Sequence, residues 1–260
     1  MCKVISCASQ KGGVGKSSTV LNLATALALM GKKVAAVDVD PQGSLSICAG
    51  VQNPDDLTHT THSLLNAVMD EEELPEPNEY IIPCGLIDVV PCNISLSAFE
   101  LNRGHEIGAE KALQTAIEPL KGMYDIVLCD TGPSLGILTV NAIAASDGIL
   151  IPVTPQLLSA VGLRLLIKTI QKVQKHINPA VSIEGILMNM VDARTSLYKD
   201  MSGIMEKTYS KMFRIFNTII PHSTKVGEAN LNCQSVLLYD ENSKPAKAYM
   251  DFAKELMASG

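Results

Sequence analysis

The chain has 260 residues, of which 47% are hydrophobic and 18% are charged, and its formal net charge at pH 7 is −6. This length fits one α/β domain spanning residues 1–260, and the apolar share is sufficient for a large aliphatic core. We expect neither a membrane protein nor a secreted one, because no apolar run reaches about 18 residues and the first residues lack a signal-peptide pattern. The seven cysteines, an odd number scattered along the chain, are typical of reduced thiols in a cytoplasmic protein.

Apolar, strand-like runs alternate with helix-like stretches along most of the chain. The predicted strands are Val4–Cys7, Val34–Val39, Ile87–Val90, Ile126–Cys129, Ile149–Val153, Ile183–Met188 and Ile215–Ile220. The predicted helices are Ser17–Met30, Ser95–Leu101, Glu106–Leu120, Gly136–Ala145, Leu157–Ile177, Ser202–Phe213 and Lys244–Met257. This alternation predicts an α/β fold of a single domain, in which a mostly parallel, twisted β-sheet is flanked by helices on both faces.

The segment between the first predicted strand and the first predicted helix is rich in glycine, and residues 10–18 read QKGGVGKSS. Glycine adopts backbone angles closed to other residues, so the N–H groups of such a loop converge on one anion, and the following helix adds its positive dipole end. A lysine after the glycines reaches the outer phosphates of a nucleotide, and the next serine holds a magnesium ion. The alternative is a glycine-rich turn with solvated lysines. The predicted phosphate-binding residues are Gly12, Gly13, Val14, Gly15, Lys16, Ser17 and Ser18.

The segment departs from the usual phosphate loop, GxxxxGK[ST], because Gln10 stands at the position of the first glycine and Lys11 follows it. In this respect KGGVGKS resembles the deviant Walker A motif of the ParA/MinD family of ATPases. The resemblance implies a deviant P-loop fold, a homodimer in the ATP-bound state, a catalytic role for Lys16, and ATP, ADP and Mg²⁺ as ligands. It also implies that Lys11 is catalytic and binds nucleotide, because the early lysine of that family crosses the dimer interface to the partner's ATP.

Two carboxylates lie at the end of the second predicted strand, in the sequence DVDPQG. Asp38 and Asp40 face the same side in the two-residue period of a strand, at the edge where open α/β sheets bind ligands. Asp40 is nearer the mouth of the site, where a carboxylate can orient or polarise the attacking water. The run resembles switch I of the family, which implies a role in hydrolysis and near the metal for Asp40. For Asp38 we consider magnesium-bound water and the lysine network, and a helix-capping or turn role is the alternative for both residues.

The fourth predicted strand ends in Asp130 after four apolar residues. This pattern is typical of a Walker B strand, whose carboxylate lies next to magnesium, so the predicted metal residues are Ser17, Asp40 and Asp130. The continuation DTGPSLG resembles switch II of the family, although family members usually have proline where this chain has Gly132. We expect this glycine to loosen the loop without removing a ligand.

Two later strand ends correspond to segments that flank the adenine base in the family, which implies base contacts by Asn189 and Pro221. A buried asparagine satisfied by backbone groups is the alternative for Asn189. The C-terminal run SKPAKAYMDFAKEL resembles the closing helix of the family, so the resemblance covers nearly the whole chain. It is stronger to ParA/Soj-type partition ATPases than to other members.

Basic residues are concentrated late in the chain, where residues 164–225 contain ten Lys or Arg and four Asp or Glu. On the predicted helix 157–177 they recur every three or four residues opposite an apolar face, and the predicted helix 202–213 repeats this arrangement. Such spacing suits the phosphate backbone of DNA, and a solvated polar face is the alternative. Arg194 matches a DNA-binding arginine of the family, whereas His222 replaces another, which implies weaker or more pH-dependent binding. The predicted DNA-binding residues are Arg164, Lys168, Lys172, Arg194, Lys207, Lys211 and Arg214.

These features predict an ATP-dependent dimerising ATPase that binds DNA non-specifically and drives partition of a plasmid or chromosome. The resemblance implies slow hydrolysis stimulated by a ParB-like centromere-binding partner, in the cytoplasm and on the nucleoid. One alternative is a MinD-like positioning ATPase, which needs a basic amphipathic helix for a membrane surface. An ATP-gated transcriptional regulator is another alternative, and the sequence does not separate it from a partition protein.

Overall fold

The computed structural model describes residues 2–258, apart from the side chains of residues 157–160, so the ends of the predicted 1–260 domain lie outside it. The strands of the described chain are β1 (Lys3–Cys7), β2 (Val34–Val39), β3 (Ile82–Cys84), β4 (Ile87–Val90), β5 (Ile126–Thr131), β6 (Gly148–Val153), β7 (Ser182–Val191) and β8 (Ile215–Pro221). They form one sheet in the order β3-β4-β2-β5-β1-β6-β7-β8. The pairing of β3 with β4 is antiparallel, and the other pairings are parallel.

Helices connect most of the strands. They are α1 (Lys16–Leu29), α2 (Ser44–Ala49), α3 (Thr61–Met69), α4 (Pro77–Tyr80), α5 (Leu96–Asn102), α6 (Ala112–Ala116), α7 (Ile137–Ala145), α8 (Leu157–His176), α9 (Ser196–Tyr209), α10 (Thr224–Leu231), α11 (Val236–Tyr239) and α12 (Lys244–Met257). Within residues 2–258, no helix combines the length and the apolar character that crossing a membrane requires.

Neighbouring residues of a central strand enter different apolar clusters on opposite faces of the sheet. Ile5 packs with α1 and α12, whereas Val4 packs with α5, α6 and α7. A third cluster places α8 and α9 over β6 and β7. Strands β2, β5 and β6 are buried at every residue, as expected for parallel strands that are covered on both faces. The predicted fold class is therefore confirmed.

Two helix predictions differ from the structure. The stretch predicted as helix 106–120 is broken, because α6 lies between the 3₁₀ turns Ala109–Lys111 and Glu118–Gly122. Gly108 adopts a left-handed φ of 89° before the first turn, and Pro119 is the second residue of the other turn. Helix α9 begins before the predicted Ser202, because the Thr195 side chain accepts a hydrogen bond from the Tyr198 N–H (3.3 Å) and caps its N-terminus.

The elements that were not predicted include the short edge strand β3 and helices α2, α3 and α10. Strand β3 has only three residues with a proline in the middle, which suits an edge and leaves little sequence signal. Because β1, β2, β5, β7 and β8 run parallel, their carboxyl ends meet at one edge of the sheet. That edge is the usual place for a ligand in an open α/β fold.

Candidate nucleotide-binding site

The glycine-rich segment forms the loop between β1 and α1. Gly13 and Gly15 have left-handed φ angles of 71° and 80°, which L side chains rarely adopt. At position 15 a Cβ would also lie 2.7 Å from Nδ2 of Asn189, so both the angle and the space require glycine. Helix α1 begins at Lys16, immediately after the loop, so its free N–H groups face the same region.

The loop lines an open cavity of about 370 Å³ at the sheet edge. The residues that line it come from the loop, from the segment after β2, from the segment after β5 and from α10: Gly12, Gly13, Gly15, Lys16, Ser17, Ser18, Asp40, Gln42, Ser44, Cys48, Pro133 and Asn230. The structure thus brings together most of the predicted phosphate residues and Asp40. Val14 is fully buried, so its side chain does not face the cavity, and only its backbone can serve the loop.

Asp130 is the most unusual carboxylate near the site, because it is completely buried, it is not among the residues that line the cavity, and neither of its oxygens makes a hydrogen bond of standard geometry. Burial raises the pKa of Asp130 well above its usual range, and nearby Asp38 raises it further, whereas Ser17 and Lys16 lower it. A buried carboxylate with so little hydrogen bonding is costly unless a cation compensates its charge. Asp130 and the Ser17 hydroxyl therefore fit a magnesium ion, which takes few protein ligands and completes its shell with water and phosphate.

Asp38 is buried and holds the backbone in place. Its Oδ2 accepts hydrogen bonds from the N–H (2.9 Å) and the hydroxyl (2.8 Å) of Ser46, and its Oδ1 accepts one from the N–H of Asp40 (3.1 Å). Burial raises the pKa of Asp38 to about 6. The structure therefore shows the turn-stabilising alternative for Asp38 and not a contact with the lysines.

Asp40 lines the cavity, as predicted, and its carboxylate packs on the loop after β5. Its Oδ1 accepts a hydrogen bond from the N–H of Gln42 (3.0 Å). A Cβ added at Gly132 would lie 3.3 Å from the same oxygen, so a side chain at position 132 would crowd the Asp40 carboxylate. The two loops predicted as switches therefore lie side by side, because the strands that precede them, β2 and β5, pair in parallel.

A second cavity of about 180 Å³ lies beside the first, toward the ends of β7 and β8. Asn189 and Pro221 both line it, and their contact with a base stays a prediction. Asn189 is also fully engaged by protein groups, since its Nδ2 donates to the oxygen of Val14 (2.8 Å) and its Oδ1 accepts from the N–H of Met190 (2.9 Å). The backbone-satisfied alternative is therefore present, and Asn189 holds the phosphate loop.

Lys11 lies against its own chain. Its Nζ donates to Oγ1 of Thr154 (3.3 Å) and to Oε1 of Gln156, at the end of β6 and just before α8. Lys11 is not among the residues that line the cavity of the phosphate loop. Its reach to the nucleotide of a second subunit stays a prediction.

A protein-family model described as an AAA domain matches residues 2–183 of the chain. The chain is 36% identical to the sporulation initiation inhibitor protein Soj of Bacillus subtilis, with all of both proteins covered. It is also 33% identical to the chromosome partitioning protein ParA of Caulobacter vibrioides, with 98% of this chain and 94% of that protein covered. The chain belongs to the ParA/Soj family of ATPases.

The fold of this ParA/Soj-family chain is similar to that of a solved structure described as cobyrinic acid a,c-diamide synthase from Mycobacterium smegmatis with bound ADP and magnesium. The two are 31% identical with a TM-score of 0.84, and the match covers 99% of this chain and 94% of the other. The ADP and magnesium of that structure agree with the predicted nucleotide and Mg²⁺.

The basic stripe of the ParA/Soj-family chain is present on α8. Arg164, Lys168 and Lys172 are exposed, whereas the apolar residues Leu163 and Leu166 are buried under the helix. Their placement suits a contact with an extended anion, and DNA binding itself stays a prediction. The side chain of Arg194 is 90% exposed beside β7 and pairs with Asp192 (2.9 Å).

The second predicted stripe is wrong as a continuous helical feature. Helix α9 ends at Tyr209, so Lys207 lies on it but Lys211 and Arg214 lie beyond it. Lys211 is exposed, whereas the Arg214 guanidinium stacks over the ring of Phe216 (4.5 Å) and donates to the Glu255 oxygen (3.1 Å). Arg214 therefore joins β8 to α12, and it is the weakest of the predicted DNA contacts.

The sequence reasoning missed five residues that line the phosphate cavity, which are Gln42, Ser44, Cys48, Pro133 and Asn230. Gln42 and Ser44 follow Asp40 closely in the chain, so their position next to a predicted site residue could have identified them. Asn230 lies on α10, which was not predicted, and nothing in its local sequence distinguishes it from a surface residue.

Proposed function

We propose that this chain is a single-domain, ATP-dependent ATPase that dimerises on ATP, binds DNA non-specifically and drives partition of a plasmid or chromosome with a ParB-like partner. The nucleotide part is carried by one observation: the buried Asp130 carboxylate makes no hydrogen bond of standard geometry, and the Ser17 hydroxyl at the phosphate loop is the donor beside it. A protein retains such a group where a ligand compensates its charge.

The residues of the site divide the work of hydrolysis between binding and positioning. The N–H groups of residues 12–17 hold the phosphates, the ammonium group of Lys16 neutralises their charge, and Asp40 orients the attacking water. Bound Mg²⁺, held at Ser17 and Asp130, supplies charge neutralisation on the phosphate oxygens. With no strong base beside the water, hydrolysis is slow, and the partner protein accelerates it.

Dimerisation is proposed to depend on Lys11. This lysine leaves Thr154 and Gln156 of its own chain and reaches the ATP of the second subunit, so that ATP joins the two protomers. Loss of the γ-phosphate removes the contacts that hold the loops at Asp40 and Asp130, and the protomers separate.

DNA binding is proposed to use the exposed cations on and near α8. Arg164, Lys168, Lys172 and Arg194 present spaced positive charge, which suits a phosphate backbone and carries no base-reading chemistry. A dimer doubles this surface, so ATP-dependent pairing makes DNA binding ATP-dependent. A relative that is named a chromosome partitioning protein supports the partition role, and we place the protein in the cytoplasm and on the nucleoid.

Co-sedimentation with DNA tests this proposal in three nucleotide conditions, ATP, ADP and none, at two salt concentrations. We expect retention with ATP alone, weakened by salt and lost in Arg194→Ala. The matched control is Arg103→Ala, because Arg103 also pairs with a nearby aspartate, Asp70, but lies outside the basic region. Equal retention in all three nucleotide conditions contradicts the switch, and equal loss in both variants contradicts a specific role for Arg194.

A further inference from the structure

The two cavities of the nucleotide site meet at a pair of side chains. Ser18 and Asn230 are the described residues that line both the cavity of the phosphate loop and the cavity at the ends of β7 and β8. Ser18 belongs to α1 and Asn230 to α10, so the junction joins two helices that are far apart in sequence. Any nucleotide that occupies both cavities passes over this pair.

The side chain of Asn230 is only half satisfied. Its Nδ2 donates to Oγ of Ser18 (3.2 Å), whereas its Oδ1 is buried and has no hydrogen-bond partner in the described structure. Two other asparagines near the site differ, because Oδ1 of Asn22 accepts from the N–H of Val236 (2.7 Å) and Oδ1 of Asn189 accepts from that of Met190. Buried polar atoms are nearly always paired, so an unpaired acceptor at a cavity junction points to a donor supplied by a ligand.

The helix that carries Asn230 is firmly held. Glu228, two residues earlier, accepts a hydrogen bond from Nζ of Lys225 (2.9 Å) on the same helix and one from the Tyr239 hydroxyl (3.2 Å), and the second of these joins α10 to α11. The Ser18 contact fixes the amide at the other side. Asn230 is therefore held from two sides, and only a small rotation of its amide must bring the buried Oδ1 to the cavity surface.

We propose that Oδ1 of Asn230 accepts a hydrogen bond from a ribose hydroxyl of the bound nucleotide and makes the site selective for ribonucleotides over deoxyribonucleotides. This inference rests on the proposed function, in which the phosphates occupy the loop and the base occupies the neighbouring cavity. The sugar joins base and phosphates covalently, so it is the part of the nucleotide that lies over the junction. Its hydroxyl groups are donors, and Oδ1 is the acceptor that lacks one. A site built to hydrogen-bond a hydroxyl disfavours a ligand that lacks it, because the buried partner stays unpaired.

Calorimetric titration with ATP, 2′-deoxy-ATP and 3′-deoxy-ATP in the presence of Mg²⁺ tests the inference. For the unaltered protein we expect one of the deoxy analogues to bind about tenfold more weakly than ATP, as for the loss of one hydrogen bond at a buried acceptor. Asn230→Leu, which keeps the size and removes the acceptor, is expected to lose this preference. Asn230→Asp, which keeps an acceptor oxygen, is expected to retain the preference even if added negative charge weakens the binding of every analogue.

The matched control is Asn232→Leu, since Asn232 lies at the end of the same helix and outside both cavities. Its side chain donates to the backbone oxygen of Glu228 (2.8 Å). This variant is expected to keep the full preference for ATP. Inorganic triphosphate provides a second measurement, because its binding should be equal in the unaltered protein and in Asn230→Leu if that variant is folded.

The inference is overturned if the unaltered protein binds all three nucleotides equally, or if Asn230→Leu keeps the preference. It is also overturned if Asn230→Leu instead loses a preference for ATP over inosine triphosphate, because Oδ1 then contacts the amino group of the base. Absence of any ATP binding by the unaltered protein contradicts the proposed function and is thereby distinguished from a failure of the ribose contact.

Discussion

The side-chain amide of Asn189, on β7, donates a hydrogen bond of 2.8 Å to the backbone oxygen of Val14 in the phosphate loop. The same amide donates to Oγ1 of Thr19 (3.2 Å) on α1, and its nitrogen lies 2.7 Å from the place where a Cβ at Gly15 would be. One buried side chain from the far half of the sequence therefore holds the loop, the helix that follows it and the glycine between them.

We expect Asn189→Ala to lower both the free energy of unfolding and the affinity for ATP. Loss of the amide leaves the Val14 oxygen buried without a partner, which costs about 1–3 kcal/mol, and it frees the loop to leave its phosphate-binding conformation. Chemical denaturation and ATP titration measure the two effects. The matched control is Asn178→Ala, because Asn178 also donates to two backbone oxygens, those of Ala144 and Ser146, away from the loop. If both variants lose stability and both keep ATP affinity, Asn189 does not position the loop.

Removal of the charge at Asp130 is expected to stabilise the metal-free protein. In buffer without Mg²⁺, Asp130→Asn should raise the free energy of unfolding by about 1–3 kcal/mol, because a neutral amide avoids the cost of a buried, unpaired carboxylate. Mg²⁺ with ATP should then stabilise the unaltered protein and have little effect on the variant. Thermal and chemical denaturation with and without Mg²⁺ provide the measurement.

Asp88→Asn is the control for this prediction, since the Asp88 carboxylate accepts a hydrogen bond from the Tyr124 hydroxyl (2.8 Å) and lies outside the site. It should leave the response to Mg²⁺ unchanged. A metal-free Asp130→Asn protein that is less stable than the unaltered one would show that Asp130 is satisfied within the chain.

Much of the fold and of the phosphate site was predictable because the signals are local. The loop residues and Ser17 lie within a few positions of one another, and Asp130 follows directly from the strand that precedes it. Parallel strands buried on both faces produce continuous apolar runs, so β2 and β4 have the predicted bounds and β5 the predicted start.

The rest depends on contacts between distant parts of the chain. The place of Asn230 in the site depends on its hydrogen bond to Ser18, which is 212 positions away in the chain. The role of Asn189 depends in the same way on a loop 175 positions away. Asp38 and Asp40 have the same local pattern, and only the approach of Ser46 separates the turn-stabilising aspartate from the one that lines the cavity. Basic residues recur at helical spacing beyond Tyr209, so the sequence alone predicts a helix that continues to Phe213, whereas α9 ends at Tyr209.

Lys11 and Lys16 are expected to have separable effects. Lys16→Ala should abolish nucleotide binding. Lys11→Ala should still bind ATP, because the Lys11 contacts lie outside the phosphate cavity. It should nevertheless stay a monomer, because the lysine proposed to reach the ATP of the second subunit is missing. Light scattering of size-separated protein with ATP, in an Asp40→Ala background that we expect to slow hydrolysis, measures the pairing. Lys33→Ala is the control, since Lys33 is exposed at the opposite end of β2. Normal pairing of the Lys11 variant would show that this lysine does not cross between subunits.

Gly132 is expected to set the position of the Asp40 carboxylate and, through it, the rate of hydrolysis. In Gly132→Ala the new Cβ would lie 3.3 Å from Oδ1 and 3.4 Å from Cγ of Asp40, so the carboxylate must move by a few tenths of an ångström. We expect kcat to fall about threefold to tenfold, because small misplacements of a positioning group are costly, while the affinity for ATP stays unchanged. Steady-state hydrolysis and ATP titration separate the two quantities.

Gly203→Ala on α9 is the control, since a Cβ there meets nothing within 4 Å. An unchanged kcat in Gly132→Ala, or a fall that Gly203→Ala matches, would show that the contact between the two loops does not govern hydrolysis.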